Sequence, residues 1–220
     1  MQLLAINVAT PRDIQVGSRV FSTAIFKTPV SGPVTVGPLG VAGDVQVDRE
    51  NHGGEFMAVY TYPFEHYAHW ADRLGRNDFS FGQFGENLTI EGFTEDTVYI
   101  GDIFRIGSVL LEVTQPRVPC FKLGHKMGRP EFIAEFAASG RVGFYQRVLA
   151  DGEISAGDPI ERVFTDPRRV TVRELMELRQ FRRGGPDVLD RVLAVPALTP
   201  AWREELLARR ATANAAPTAV

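Results

Sequence analysis

The hydrophobic pattern of the chain changes once, near Asp166. Before that point short apolar runs alternate with turn residues. Val34-Thr35-Val36, Met57 to Tyr62, Ile103 to Ile106 and Val109 to Thr114 are rich in β-branched and aromatic residues, which fit a pleated, half-buried surface. Gly107-Ser108, between the last two runs, suits a two-residue hairpin turn. Gly43-Asp44, Gly101-Asp102, Asp151-Gly152 and Gly157-Asp158 punctuate the rest, and Met1 to Val8 reads as a first strand rather than a leader, since it lacks a basic segment and a cleavage site. Many short strands between turn signals predict a mainly β fold, a barrel or sandwich.

Two helices interrupt the strands. Between Pro63 and Leu74, Phe64, Tyr67, Ala68, Ala71 and Leu74 form a helical stripe, with His66, His69 and Arg73 expected on the solvated side. A second helix is predicted to begin near Pro130, to bury Phe132, Ile133 and Phe136, and to stop at Gly140. After Asp166-Pro167-Arg168-Arg169, Leu, Glu, Arg and Ala take over. Thr171-Val172-Arg173-Glu174 has the form of a capping box, Gly184-Gly185-Pro186 breaks the helix it opens, and Thr199-Pro200 starts a third. The pattern predicts a β domain over residues 1–162, a three-helix unit over 163–212 and a structureless tail over 213–220. Such a helical unit is too small to stand alone, so it should dock on the barrel or on a second subunit through Leu175, Leu178, Leu189, Leu193 and Trp202.

Composition narrows the function classes. A net charge of −3 gives no support for bulk binding to nucleic acid. No apolar run approaches the roughly 20 residues of a membrane span. A single cysteine leaves no internal disulfide and no Cys-x-x-Cys site, which fits a cytoplasmic chain.

That cysteine, Cys120, is the first candidate for chemistry. It lies in Gln115-Pro116-Arg117-Val118-Pro119-Cys120-Phe121-Lys122, where two prolines stiffen the chain and two cations flank the sulfur. Nearby positive charge favours a thiolate, which is a nucleophile or a soft-metal ligand; the ordinary alternative is a small buried hydrophobe. Four other segments combine glycines with polar groups: Lys27-Thr28-Pro29-Val30 to Pro33; Gly43-Asp44 through Asp48 to Asn51-His52-Gly53-Gly54; Gly82 to Gly85-Glu86-Asn87-Leu88-Thr89; and Gly140-Arg141 to Leu149. Glycines beside cations let backbone N–H groups approach a ligand. Singly, each also reads as a tight turn: Asp44 and Asp48 as turn residues, His52 as a surface histidine, Glu86 as the partner of Arg141 or Arg147.

Together these segments resemble the MOSC family, the molybdenum cofactor sulfurase C-terminal-like domains, and within it the YiiM-type branch linked to resistance to 6-N-hydroxylaminopurine. The resemblance rests on Lys27-Thr28-Pro29-Val30, His52-Gly53-Gly54, Phe84-Gly85-Glu86-Asn87-Leu88, Gln115 to Cys120, and Gly140-Arg141 through Arg147-Val148-Leu149. It continues into Leu198 to Arg203, which is similar to the last helix of that branch. Met57 is a departure, standing where a lysine often follows His-Gly-Gly.

The resemblance implies a MOSC-like β-barrel with peripheral helices that binds the molybdenum cofactor (molybdopterin), a pterin carrying a dithiolene and a phosphate. It implies that Cys120 is the metal ligand and catalytic, with His52 beside it, hydrogen-bonding the pterin or a metal-bound oxygen. Lys27, Arg117 and Arg141 become candidates for the phosphate and the pterin edge, Gly53, Gly54 and Gly85 for backbone contacts, and Asn87 for the heterocycle. The activity implied is reduction of N-hydroxylated base analogues to amines, with electrons from a separate donor protein. Two other readings stay open: a carrier of the cofactor, or of sulfur as a Cys120 persulfide, without turnover of its own; and a hydrolase pairing Cys120 with His52. A homodimer is one arrangement open to the chain.

Overall fold

The structure, a computed structural model, describes residues 1–47 and 53–215, with side chains up to 212. Asp48 and His52 therefore lie outside the described residues. The elements in chain order are β1 (Gln2–Val8), β2 (Arg12–Val16), β3 (Arg19–Thr23), β4 (Thr28–Val30), β5 (Val34–Gly37), β6 (Gly40–Val41), a 3-10 turn at Glu55–Met57, β7 (Val59–Pro63), α1 (Glu65–Leu74), β8 (Leu88–Glu91), β9 (Ile103–Ile106), β10 (Val109–Pro116), α2 (Phe121–Lys126), α3 (Phe132–Ser139), β11 (Phe144–Ala150), β12 (Gly152–Ile154), β13 (Ile160–Phe164), α4 (Val172–Gln180), α5 (Pro186–Leu193) and α6 (Pro200–Ala215).

Eight strands form one sheet in the order β13-β9-β10-β11-β7-β8-β1-β4, antiparallel throughout except for β7 beside β8. The sheet curls until the start of β13 reaches the start of β1. Leu3 N donates to Asp158 O at 3.0 Å, and Ile160 N donates to Met1 O at 3.0 Å. β4 remains at an open edge, so the barrel is incomplete. The β9–β10 hairpin turns at Gly107-Ser108, as its sequence requires, pairing Ile106 with Val109. Gly143 enters β11 at φ +70°, and a Cβ there would lie 2.4 Å from Thr61 O, so only glycine lets β11 approach β7 at this point.

Two apolar cores lie on either side of this sheet. One joins Leu3, Leu88, Ile100, Leu111 and Val113 to Leu175, Leu178, Val192, Val195, Leu198, Trp202 and Leu206 of the C-terminal helices. The other is aromatic and seats α1, α2 and α3. It contains Tyr62, Trp70, Phe84, Phe132 and Phe136, with Tyr62 and Phe84 ring centres 4.4 Å apart.

Four sequence expectations change. The buried face of α1 is His66, Tyr67 and Trp70, while Ala68 and Phe64 are exposed. Trp70 Nε1 donates to Tyr62 Oη at 2.8 Å, and His66 meets the fully buried Glu95 at 2.6 Å, which draws that histidine inward. The helix after Cys120, α2, was not foreseen; its six residues are too few to show a periodic pattern. β13 runs past residue 162, and Ile100 N to Val170 O (2.9 Å) and Val172 N to Val98 O (3.0 Å) tie the start of α4 to the barrel. Helix α6 extends to Ala215, into the stretch expected to be structureless.

Helix α4 opens on the capping box that its sequence predicts: Glu174 N donates to Thr171 Oγ1 and Thr171 N to Glu174 Oε2, both at 2.9 Å. Thr171→Ala is expected to cost about 1 kcal/mol and to lower the melting temperature by roughly 2–4 °C, read by thermal denaturation. Thr199 differs. Its buried Oγ1 has no hydrogen-bond partner, so it does not cap α6.

Candidate functional site

The end of β10 delivers residues 117–120 to a hollow beside the barrel. Cys120 is half-buried and extended, with φ −126° and ψ 171°, and its carbonyl accepts from Leu123 N at 2.9 Å. It lines a cavity of about 110 Å³ together with Lys27, Asp44, Met57, Tyr60, Gly85, Asn87, Arg117, Lys122 and Tyr145. Of the residues that the sequence singles out, Cys120, Lys27, Gly85, Asn87 and Arg117 are therefore brought together.

Lys27 donates to both oxygens of Asp44. Burial pulls its pKa below the usual lysine value, against the opposing pull of Asp44. Asp44 also accepts from Ala9 N at 3.0 Å and Asn87 Nδ2 at 2.8 Å. Asn87 Oδ1 accepts from Tyr60 N at 3.1 Å. Its amide thus holds β7, β8 and the Asp44 turn in register at the cavity wall.

Arg117 is 5% exposed. Its guanidinium donates to Phe84 O and lies 4.6 Å from the centre of the Tyr60 ring. Burial opposes the charge, but Tyr60, Tyr145 and Cys120 hold its pKa above the ordinary arginine value, so the cation persists in the wall of the cavity. Gly85 sits at φ +84°, and a Cβ there would fall 2.7 Å from Ile25 Cγ1.

Glu86 does not pair with either arginine. It is fully buried and accepts from the Tyr67 hydroxyl, Gly82 N (3.0 Å), Thr89 Oγ1 (3.0 Å) and Phe84 N (2.9 Å). Arg147 pairs instead with Glu112. The carboxylate thereby shapes the Gly82–Gly85 loop from beneath. Lys126, on α2, was missed by sequence reasoning. Its Nζ donates to Ile25 O (3.0 Å) and Gly82 O (2.6 Å), and burial, reinforced by Arg117 and Lys27 against the pull of Glu86, lowers its pKa to about 8. Its distance of six residues from Cys120 is a signal only once a helix there is known.

Three predicted site residues are elsewhere. Gly53 and Gly54 line an adjoining cleft, and Gly54 N donates to Gln46 Oε1 at 2.9 Å. Arg141 is not on the cavity wall. Its carbonyl accepts from the Tyr62 hydroxyl at 3.0 Å, and its charge, after burial, depresses the pKa of His69 on α1. Met57 lines both hollows.

Met57, Tyr60, Gly85, Asn87, Arg117, Cys120, Lys122 and Tyr145 of this site fall within a stretch, residues 48–161, that matches the model of the MOSC domain, and Lys27 and Asp44 precede it. Protein YiiM of Escherichia coli strain K12 is 36% identical over 190 residues, spanning 86% of this chain and 84% of that one. The chain belongs to the MOSC domain family. The crystal structure of YiiM from Geobacillus stearothermophilus superposes with a TM-score of 0.80 at 36% identity, covering 94% of this chain and 98% of that one. A protein of Gibberella moniliformis named "Reductase" is 39% identical over 142 residues, 63% of this chain and 25% of its own length. As in the expected MOSC-like fold, an incomplete barrel carries peripheral helices and ends in three more. No helix among the described residues is long and apolar enough to cross a membrane.

Proposed function

We propose that this MOSC-domain protein is a molybdenum-cofactor-dependent oxidoreductase that reduces N-hydroxylated substrates, such as hydroxylaminopurine-type base analogues, to amines. The observation that carries the reading is the meeting of Cys120 with Lys27, Arg117, Lys122 and Gly85 in one cavity. Among the described residues no cluster of three or more His, Cys, Asp or Glu could hold a metal ion. A metal there would have one soft protein donor, the Cys120 sulfur, and would need further sulfurs from its own cofactor, which a pterin dithiolene supplies. The cations suit its phosphate. The donor set therefore fits the cofactor.

When bound, the cofactor would supply the two-electron chemistry that removes the hydroxyl oxygen as water. The chain supplies position and polarity. Cys120 would hold the metal on a segment stiffened by Pro116 and Pro119. Arg117, locked by Phe84 O and the Tyr60 ring, would present fixed positive charge to the phosphate. Asp44 would keep Lys27 in place and temper the positive potential. His52, at the other end of the same sequence motif, is the candidate proton donor. The electrons would come from a separate donor protein.

The test is turnover. Protein made in a cofactor-synthesising host, given reduced viologen and 6-N-hydroxylaminopurine, should yield the 6-amino base, whereas protein from a host unable to make the cofactor should not. If molybdenum-loaded protein produces no amine above that control, the reading fails. The placement of the arginines adds a second expectation. Arg117→Ala should weaken cofactor retention by about 1.5–3 kcal/mol, seen as molybdenum lost on dialysis, while Arg141→Ala, away from the cavity, should retain it. Equal retention in both variants would remove Arg117 from the site.

A further inference from the structure

Beside the Cys120 cavity lies a larger cleft of about 650 Å³, bounded by the Gly53–Met57 turn, the end of β10 and the first turn of α6. We propose that the α6 end of this cleft binds the carboxylate of a small aromatic acid, held by the Thr199 hydroxyl and the N–H groups of Ala201 and Trp202.

Thr199 carries the argument. It lines the cleft, is 5% exposed, and its Oγ1 has no hydrogen-bond partner among the described residues. Its carbonyl accepts from Arg203 N at 3.0 Å, which makes Thr199 the N-cap residue of α6. An N-cap hydroxyl ordinarily accepts from an N–H of the first turn and therefore sits over that turn. Here it does not accept, and the N–H groups of Ala201 and Trp202 donate to no described residue. Pro200 has no N–H. A buried hydroxyl without a partner is costly, and native interiors rarely tolerate one. Helix α4 shows what is missing. There Thr171 is completed by the carboxylate of Glu174, three residues on. Three residues after Thr199 stands Trp202, which brings no carboxylate. A ligand carboxylate would supply that acceptor, its two oxygens meeting three donors at the positive end of a helix dipole.

The lining selects the class of acid. Phe56, Val118, Tyr145 and Trp202 give the cleft an apolar and aromatic wall, suited to an aromatic body behind the carboxylate. Arg179 donates to Glu205 at 2.9 Å and lies 4.3 Å from the Trp202 ring centre, so these two charges on the lining offset each other. The exposed Glu55 lines the cleft as well. A helix end worth about half a positive charge, set against that carboxylate, suits a monoanion better than a doubly charged phosphate. The binding requires neither metal nor pterin, and it goes beyond the proposed reduction.

The test uses the purified full chain and benzoate, with benzamide as the uncharged counterpart. Calorimetry should show saturable one-to-one binding of benzoate. Benzamide should bind at least fivefold more weakly. Thr199→Val keeps the shape and removes the hydroxyl, and it should weaken benzoate at least fivefold. Without benzoate it should melt no lower than the wild type, because exchanging an orphaned hydroxyl for a methyl group strands no partner. Ala201→Glu, from an exposed position on the first turn, places a carboxylate beside the bound one. The helix dipole accommodates that charge, while benzoate should again weaken at least fivefold. Absence of benzoate binding in the wild type, or a difference smaller than fivefold for benzamide or for either folded variant, overturns the proposal. Inorganic phosphate binding more tightly than benzoate overturns the choice of a carboxylate. If Thr199→Val fails to fold, Ala201→Glu decides. Protein without molybdenum would refute the proposed activity and leave the benzoate titration intact, so the two failures are distinguishable.

Discussion

Glu86→Ala is expected to destabilise the protein by about 4 kcal/mol, a fall of roughly 10 °C in melting temperature for a chain of this size. The carboxylate is fully buried and accepts from Tyr67, Gly82, Phe84 and Thr89. Its removal strands four donors where water cannot replace it, and each stranded donor costs about 1–3 kcal/mol before relaxation. Glu86→Gln should be milder but still harmful, because its NH2 group would face donors. The loop it holds contains Gly85 and the Phe84 carbonyl that fixes Arg117, so cofactor retention should fall with stability. A melting temperature for Glu86→Ala within 2 °C of the wild type would show that the loop is held by something else, and would remove the proposed support beneath the site.

A stop codon after Pro167 is expected to have a larger effect. It keeps β13 whole but removes Leu175, Leu178, Val192, Val195, Leu198 and Leu206, each 4% exposed or less and packed into the core that includes Ile100, Leu111 and Val113. Six such side chains at about 1.5–3 kcal/mol each amount to roughly 10 kcal/mol, comparable to the whole stability of a typical domain. The truncated chain should be insoluble, or bind hydrophobic dyes without a cooperative melt. A soluble, cooperatively melting truncation would instead establish residues 1–167 as an independent domain and contradict the docking.

The difference between those outcomes shows where the sequence is legible. Strands and turns were readable because their signals are local: the β9–β10 hairpin, the Thr171 capping box and the Gly140 helix stop lie where their residues dictate. The inward turn of His66 was not readable, because its partner Glu95 is 29 residues away and nothing on α1 announces it. The site was legible as a set of motifs around Cys120, and Lys27, Gly85, Asn87 and Arg117 do converge there. Roles were less legible than membership. Asn87 has the chemistry of a ligand contact and also bonds Asp44 and Tyr60, and the Arg141 carbonyl accepts from the Tyr62 hydroxyl, bonds that the motifs do not announce. Lys126 gains meaning only from its burial and from the Ile25 and Gly82 carbonyls it meets, which one-dimensional pattern does not carry.

The central claim is that the Cys120 thiolate holds molybdenum. Its most direct measurement is the molybdenum and pterin content of wild-type and Cys120→Ser protein purified from a cofactor-synthesising host, with matched melting curves. A hydroxyl is too hard and too weakly acidic to replace the thiolate. The account predicts near-stoichiometric molybdenum in the wild type and loss of most of it in a folded Cys120→Ser. Wild-type protein without molybdenum, or a serine variant that keeps its full complement, would contradict it.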